Sequence, residues 1–341
     1  MEVNYATELG RAYCGNAEQL LRLLPKESVN LVFTSPPYAL EFKKEYGNVA
    51  KSEYVSWFLK FARHIHTALA NDGSFVLNIG GSYQAGSPTR SLYHFKLLLA
   101  LCEEVGFHLA QELFWYNPAK LPAPAEWVNV RRIRVKDSVE YLWWFSKGSF
   151  PKANNKNVLK PYSPDMERLM ERGYKAKLRP SGHNITNKFD TRHEGSIPSN
   201  LLEHGNNDSN GFYLKACREA GLKVHPARFP PALPNFFIKL LTNPSDLVLD
   251  PFAGSNTTGA VAEKLGRRWI AFELNEEYLK GSRFRFEPNK TGQPPREASP
   301  KNSAASNKSQ LSFMIREEPP PLAKSPKTPA KRMAKHHRTV R

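Results

Sequence analysis

The tetrapeptide Ser35-Pro36-Pro37-Tyr38 follows Thr34 and a mostly apolar run with strand propensity, Val29–Phe33. Each proline fixes its own φ angle and lacks an N–H, so the loop is stiff and its carbonyls are available as acceptors. Ser35 Oγ and the Pro36 carbonyl could accept both N–H groups of an exocyclic amino group, which would favour a pyramidal nitrogen with a free lone pair. Tyr38 could stack on the base, and its ring would also stabilise a nearby sulfonium. The pattern indicates chemistry at the amino group of cytosine or adenine, on a base that has left its helical stack.

A second candidate site lies at 250–255, where Asp-Pro-Phe-Ala-Gly-Ser joins a predicted strand to a predicted helix. Gly254 would let a ligand approach the backbone more closely than a Cβ permits. Thr257 and Thr258 are predicted to cap the helix and to place hydroxyls near that ligand. Glu273 ends the next predicted strand, where its carboxylate could accept both hydroxyls of a ribose. Because the turn holds one glycine and no GxGxxG pattern, we expect a nucleoside without a pyrophosphate bridge, and S-adenosylmethionine fits that description.

Predicted strands and helices alternate along most of the chain. The predicted strands are Val29–Phe33, Phe75–Ile79, Phe107–Trp115, Val139–Phe145, Leu247–Leu249 and Trp269–Phe272. The predicted helices are Ala17–Leu24, Tyr54–Ala70, Leu92–Val105, Phe236–Leu241, one that ends at Leu265, and Glu276–Phe284. Asn71–Gly73 are expected to end the second of them. This alternation predicts an α/β fold with a doubly wound, mostly parallel sheet. Ligands of such sheets bind at the carboxyl ends of the strands, so loops 34–38, 250–256 and the loop that begins at Glu273 should lie together.

These motifs and their order resemble the β-class DNA amino-methyltransferases, which include cytosine-N4 and adenine-N6 enzymes. The resemblance rests on the catalytic tetrapeptide at 35–38, the cofactor motif at 250–255 and the upstream motif His225–Pro230, and it covers roughly residues 5–286. It implies a Rossmann-like fold and methyl transfer from S-adenosylmethionine to a base flipped out of double-stranded DNA. In this family a serine at the head of the tetrapeptide points to N4 of cytosine, and a restriction–modification system is the usual setting.

The resemblance also implies roles for individual residues. The family's catalytic positions correspond to Ser35, Pro36, Pro37 and Tyr38. Its cofactor-binding positions correspond to Asn16, Phe229, Asp250, Phe252, Ala253, Gly254, Thr257 and Glu273. Asn16 stands where the family usually has aspartate, and its side-chain carbonyl could still accept a hydrogen bond from an adenine amino group.

Positive charge is concentrated in two parts of the chain. The net charge is +17, of which +9 lies in residues 288–341, a Pro-, Ser- and Lys-rich segment with few large apolar residues. We expect this segment to be a disordered basic tail. Residues 147–224 interrupt the strand–helix pattern, and 147–192 alone carry +7. They are predicted to be a target-recognition insert for double-stranded DNA, between a catalytic half, 1–146, and a cofactor half, 225–287.

Several classes of protein are excluded by the sequence. The apolar runs are too short to span a bilayer, so we expect no membrane partner and a cytoplasmic, nucleoid-associated protein. None of the three cysteines follows a proline, the usual context of the thiolate in carbon-5 cytosine methylation. No Cys/His cluster has zinc-site spacing, so no metal is predicted.

Alternatives to cytosine-N4 methylation remain open from the residues alone. The same fold could methylate adenine N6, or it could be a catalytically inactive DNA-binding module. An RNA or protein methyltransferase is a third reading, although Asn-Pro-Pro-Tyr is more typical of those enzymes. A cognate restriction endonuclease could share the recognition site without a stable complex, and both a monomer and a dimer are compatible with the sequence.

Overall fold

The computed structural model describes residues 2–39, 49–173, 193–206 and 211–287, together with two short strands between residues 174 and 192. Residues 1–288 form one compact unit. The predicted tail, 288–341, lies outside the described residues, as does part of the basic stretch 147–192. Within the described ranges, every helix is too short or too polar to cross a bilayer.

The strands build one large mixed sheet and two small ribbons. In chain order they are β1 Tyr5–Ala6, β2 Gly10–Cys14, β3 Val29–Thr34, β4 Leu69–Ile79, β5 Ser82–Tyr83, β6 Arg90–Ser91, β7 His108–Tyr116, β8 Val139–Ser146, β9 Lys177–Leu178, β10 Asn184–Ile185, β11 Leu201–Glu203, β12 Leu247–Asp250 and β13 Arg268–Glu273. The large sheet has the order β1-β2-β13-β12-β3-β4-β8-β7-β11, and β5–β6 and β9–β10 are separate antiparallel pairs. Within it, β1 and β8 run against the other strands. The predicted mostly parallel α/β sheet is confirmed.

Helices cover both faces of this sheet. The α-helices of the described residues are α1 Ala17–Leu21, α2 Tyr54–Ala68, α3 Tyr93–Ala100, α4 Pro164–Arg172, α5 Phe212–Glu219, α6 Ala232–Leu241, α7 Thr257–Lys264 and α8 Glu276–Ser282. Helices α1, α2 and α3 share a core that includes Phe58 and Phe75, and α6, α7 and α8 share a second core that includes Phe33 and Phe237. Because both faces are buried, the central strands are apolar on both sides, which explains the continuous apolar runs in the sequence.

The expectation that Asn71–Gly73 end the helix is wrong, because helix α2 already ends at Ala68. Strand β4 already begins at Leu69 and passes through these residues, while its pairing with β3 shifts register between Val29 and Leu31. The turn-forming composition of Asn-Asp-Gly is accommodated as an irregularity at the beginning of a long strand. At Gly73 a Cβ would lie 2.9 Å from the Ala70 carbonyl oxygen, so the bend brings backbone close to backbone.

Parts of the predicted insert belong to the main body. Strand β11 pairs in parallel with β7 at the edge of the large sheet, and Leu202 in its centre is buried. Helix α5 forms a small apolar cluster through Tyr213, Leu214 and Cys217, against which Phe284 packs. A three-residue strand with one buried side chain carries too little periodicity to be recognised in the sequence. The target-recognition role of 147–224 stays a prediction.

His94 is fully buried beside Trp143, and neither ring nitrogen has a hydrogen-bond partner among the described residues. Burial, assisted by the positive charge of Arg90, lowers the pKa of His94 to about 4 from 6.5. The unfolded chain therefore binds a proton between these pH values while the folded chain does not, so the stability against unfolding decreases as the pH falls from 6.5 towards 4.

Replacement of His94 by phenylalanine should remove this dependence. Urea unfolding between pH 4.5 and 8 should show the wild type losing stability relative to His94→Phe as the pH falls. The matched control is His108→Gln, since His108 is exposed, and this variant should follow the wild-type curve. Parallel curves for wild type and His94→Phe would contradict the prediction.

Candidate active site

A buried carboxylate joins the two candidate loops at the carboxyl edge of the sheet. Strands β3 and β12 are parallel neighbours. Asp250 Oδ1 accepts a hydrogen bond from Thr34 Oγ1 at 2.6 Å, and Asp250 Oδ2 accepts one from Thr258 Oγ1 at 2.7 Å. Thr34 directly precedes Ser35, and Thr258 lies in the helix that follows the glycine turn. The two loops are therefore adjacent, although 216 positions separate Thr34 from Asp250.

Asp250 lies below these loops rather than at their surface. It is 1% exposed, and burial raises its pKa to about 6 against the opposing effect of its hydrogen bonds with Thr34, Thr258 and the Phe252 N–H. All of these donors come from the protein itself. The bridge fixes the spacing of the two loops, so the described geometry gives Asp250 a structural part at the cofactor turn.

The proline tetrapeptide is held by a tyrosine of helix α2. The Tyr54 hydroxyl donates to the Pro37 carbonyl oxygen at 2.9 Å, and Tyr54 is fully buried. This carbonyl is therefore already occupied, whereas the sequence suggested that the loop carbonyls would face outward. Ser35 is partly exposed and its Oγ lies 3.3 Å from the Tyr38 hydroxyl. Ser35 and the Pro36 carbonyl remain the candidate acceptors for an amino group.

Tyr38 is anchored at its hydroxyl and packed on its ring. The hydroxyl donates to Glu140 Oε2 at 2.8 Å and lies 3.3 Å from Asn78 Oδ1. A Cβ at Gly80 would lie 2.7 Å from Tyr38 Cε2, so only glycine lets the backbone pass this ring. Burial and the neighbouring Glu140 carboxylate raise the pKa of Tyr38 well above 10. The phenol therefore stays protonated and donates its hydrogen bond at every physiological pH.

The cofactor turn is organised by a carboxylate at the end of β13. Glu273 Oε2 accepts the Gly254 N–H at 2.8 Å, and Glu273 Oε1 accepts the Asn275 N–H at 2.9 Å. Burial raises the pKa of Glu273, while hydrogen bonds from the backbone N–H groups of Asn275, Gly254 and Leu274 lower it. A carboxylate offers about four lone-pair sites, so these bonds leave acceptor capacity for a ribose hydroxyl.

Gly254 needs to be glycine for two reasons. Its φ angle is +52°, in the left-handed region that other residues adopt at a cost. A Cβ at this position would also lie 3.1 Å from Nε2 of His225. The imidazole of His225 thus covers one side of the turn, and burial lowers its pKa to about 4, so it is neutral there.

The other predicted cofactor-binding residues differ in how deeply they are buried and in what they contact. Asn16 follows β2, next to β13, and its side chain caps α1 by accepting the Glu18 N–H at 2.8 Å. Phe252 is partly exposed on an aromatic cluster, with its ring centroid 5.1 Å from that of Phe61. Phe229 packs edge-on against Phe33, with 5.2 Å between ring centroids. Two further predicted residues are nearly buried: Ala253 at 7% and Thr257 at 3% exposure.

The cap of helix α7 differs from the prediction. Asn256, with φ +53°, is the residue that caps the helix, because its Oδ1 accepts the Gly259 N–H at 3.1 Å. Thr258 instead donates to Asp250, and Thr257 lies within the helix. The expectation that the two threonines cap the helix is therefore wrong. Asparagine tolerates the left-handed conformation better than threonine does, which is why the cap falls one residue earlier.

Sequence reasoning missed three residues that organise the site: Tyr54, Glu140 and His225. In the sequence, His225 stands out only as the first residue of the upstream motif at 225–230. Glu140 is the second residue of β8, and one acidic residue near the start of an otherwise apolar strand is a weak sequence signal. Only the pairing of strands brings it to Tyr38.

Comparisons with known proteins agree with this geometry. Residues 29–284 match the DNA methylase family of the N6 and N4 type. The type II methyltransferase M.PvuII of Proteus hauseri is 53% identical over 288 residues, which cover 84% of this chain and 86% of that protein.

Solved structures are also similar. A PvuII DNA methyltransferase described as cytosine-N4-specific superposes with a TM-score of 0.70 and 47% identity, covering 85% of this chain and 90% of its own. A complex of M1.HpyAVI with SAM has a TM-score of 0.51 and 20% identity, covering 82% of this chain and 100% of its own, and it supports the fold alone.

Proposed function

The chain belongs to the DNA methylase family of N6- and N4-methyltransferases, and we propose that it transfers a methyl group from S-adenosylmethionine to N4 of cytosine at a specific site in double-stranded DNA. A relative with 53% identity over most of the chain is named a type II methyltransferase, and a similar structure is named cytosine-N4-specific. Ser35 at the head of the tetrapeptide points the same way. The enzyme acts as the modification partner in a restriction–modification system.

The residues around Gly254 fit S-adenosylmethionine. Glu273 keeps acceptor capacity for a ribose hydroxyl beyond the bonds from its backbone N–H neighbours, and Asn16 lies at the neighbouring strand end. The turn offers no second glycine for a pyrophosphate. Phe252 is partly exposed beside the turn, where its ring can contact the adenosyl group. When bound, the cofactor supplies a methyl group on a positively charged sulfonium.

Catalysis by this chain rests on orientation of the target amino group. Ser35 Oγ and the Pro36 carbonyl accept its two N–H bonds and leave the nitrogen lone pair free. The ring of Tyr38 stacks on the extruded base and fixes its plane. Holding both reactants in a reactive geometry contributes several kcal/mol, on the order of 7–11 kcal/mol in favourable cases.

The observation that carries the proposal is the Thr34–Asp250–Thr258 bridge, which keeps the proline loop and the glycine turn side by side. The deciding experiment is nucleoside analysis of unmethylated plasmid DNA after incubation with the protein and methyl-labelled S-adenosylmethionine. We expect label in N4-methylcytosine. Label in N6-methyladenine would establish the adenine alternative, and DNA binding without any transfer would establish an inactive binding module.

DNA is proposed to approach the β7–β8 connection, residues 117–138. Strand β7 ends and β8 begins at the carboxyl edge, since Tyr116 pairs with Val139 and Ile79 pairs with Tyr141. The connection therefore lies on the same edge as the tetrapeptide. Its exposed cations, Arg131, Arg132 and Lys136, are suited to phosphate contacts.

Neutralising these cations should reduce non-specific attraction to DNA. For Arg132→Gln and Lys136→Gln together, we expect weaker DNA binding and a salt-dependence slope smaller by about 2, about 1 for each lost phosphate contact. Fluorescence anisotropy measures the DNA affinity and its salt dependence. The titrations are run between about 50 and 200 mM salt, where such electrostatic effects are large. Lys26→Gln is the matched control, because Lys26 is exposed just before β3, at the opposite edge of the sheet. An unchanged slope would remove the connection from the DNA surface.

A further inference from the structure

The Tyr38 hydroxyl donates to one member of a partly exposed charge pair that lies outside the predicted motifs. Glu140 Oε2 accepts the Tyr38 hydroxyl at 2.8 Å, and Glu140 Oε1 accepts a hydrogen bond from Lys120 Nζ at 2.9 Å. The side chains of Lys120 and Glu140 are 29% and 17% exposed. One carboxylate therefore connects the catalytic loop to the β7–β8 connection.

This arrangement restrains Tyr38 in more than one direction. Gly80 allows the ring to lie directly on the backbone, and the hydroxyl of Tyr93 donates to the Gly80 carbonyl oxygen, which holds that backbone in place. Glu140 fixes the far end of the ring, and Asn78 lies within hydrogen-bonding distance of the same hydroxyl. An aromatic ring held at its edge and at its hydroxyl cannot tilt freely.

We propose that Glu140, with its charge balanced by Lys120, is a positioning residue that holds the Tyr38 ring in the plane needed to receive the flipped base. The inference rests on the proposed function, because it concerns the stacking platform of that same reaction. Glu140 acts through Tyr38 and touches neither substrate. A carboxylate fits this task better than a neutral group, since a hydrogen bond to an ionised acceptor is shorter and stronger.

Lys120 has an electrostatic role in this arrangement. An unpaired carboxylate beside a DNA-binding edge would repel phosphate groups, and it would lose solvation on partial burial. The ammonium group of Lys120 offsets both effects. Lys120 also lies in the β7–β8 connection, which is proposed to contact DNA. The Lys120–Glu140 pair therefore links the Tyr38 ring to the proposed DNA surface.

The test is a double-mutant cycle in the full-length protein. Methyl transfer to unmethylated plasmid DNA is measured for the wild type, Glu140→Gln, Tyr38→Phe and the double variant. Both single variants should lower kcat about tenfold with KM values changed less than about twofold, as expected for lost positioning. The double variant should be no slower than Tyr38→Phe alone, because both changes remove the same contact.

Two controls separate positioning from general damage. Glu104→Gln removes a surface carboxylate outside the proposed active site and DNA surface, where Glu104 pairs with Arg63 at 3.8 Å, and it should retain wild-type kcat. Binding of S-adenosylmethionine should be equal in all variants, which reports on folding independently of turnover. Multiplicative losses in the double variant, or a wild-type rate for Glu140→Gln or Tyr38→Phe, would overturn the inference. A wild-type protein without any transfer would instead refute the proposed function.

Discussion

Replacement of Gly254 by leucine should abolish measurable binding of S-adenosylmethionine. The backbone at this position has φ +52°, and even a Cβ would lie 3.1 Å from His225 Nε2. A leucine must therefore displace His225 or rotate the peptide that donates to Glu273. Either change moves the carboxylate assigned to the ribose. We expect a loss of affinity of at least about 100-fold, or about 2.7 kcal/mol, measured by isothermal titration calorimetry.

Gly266 provides the matched control for this substitution. Its φ angle is +70°, but a Cβ there would have no heavy atom within 4 Å. Gly266→Ala and Gly254→Ala impose the same kind of backbone strain, about 1–2 kcal/mol, and differ in what the new methyl group meets. Gly266→Ala should lower thermal stability and leave cofactor affinity unchanged. If folded Gly254→Leu bound the cofactor as tightly as the wild type, the assignment of the pocket would be wrong.

Ser35→Ala should leave cofactor binding intact and slow methyl transfer strongly. Ser35 lies at the end of β3, and its hydroxyl is the acceptor proposed for one N–H of the target amino group. Loss of one preorganised hydrogen bond to a reacting group typically costs 10²–10³-fold in rate, on the order of 3–4 kcal/mol. We therefore expect kcat to fall about 100-fold, measured as single-turnover transfer of labelled methyl groups.

Ser28→Ala tests whether this loss is specific. Ser28 lies at the other end of β3, where its hydroxyl donates to the Pro25 carbonyl oxygen at 2.7 Å. That variant should keep the wild-type transfer rate. A wild-type rate for Ser35→Ala as well would remove Ser35 from the mechanism and leave the Pro36 carbonyl as the remaining acceptor of the pair.

The sequence alone was sufficient for the framework of the fold and for the two loops. Val29–Phe33 and Leu247–Leu249 are short, mostly apolar runs, each followed within three residues by a proline, and such local patterns identify buried strands and the turns that follow them. The rule that parallel strands present ligands at their carboxyl ends then placed Ser35 and Gly254 on one edge. These conclusions need only information carried by neighbouring residues.

The tertiary structure decided how the side chains at that edge are used. Asp250 accepts hydrogen bonds from Thr34 and Thr258 below the loops, and Glu140 reaches the Tyr38 hydroxyl from β8. These partners are distant along the chain; Glu140 and Tyr38 are 102 positions apart. Which strands become neighbours, and at what register, depends on the packing of the whole sheet. A periodic pattern shows which residues are buried but not which residue lies opposite, and so these contacts could be found only in three dimensions.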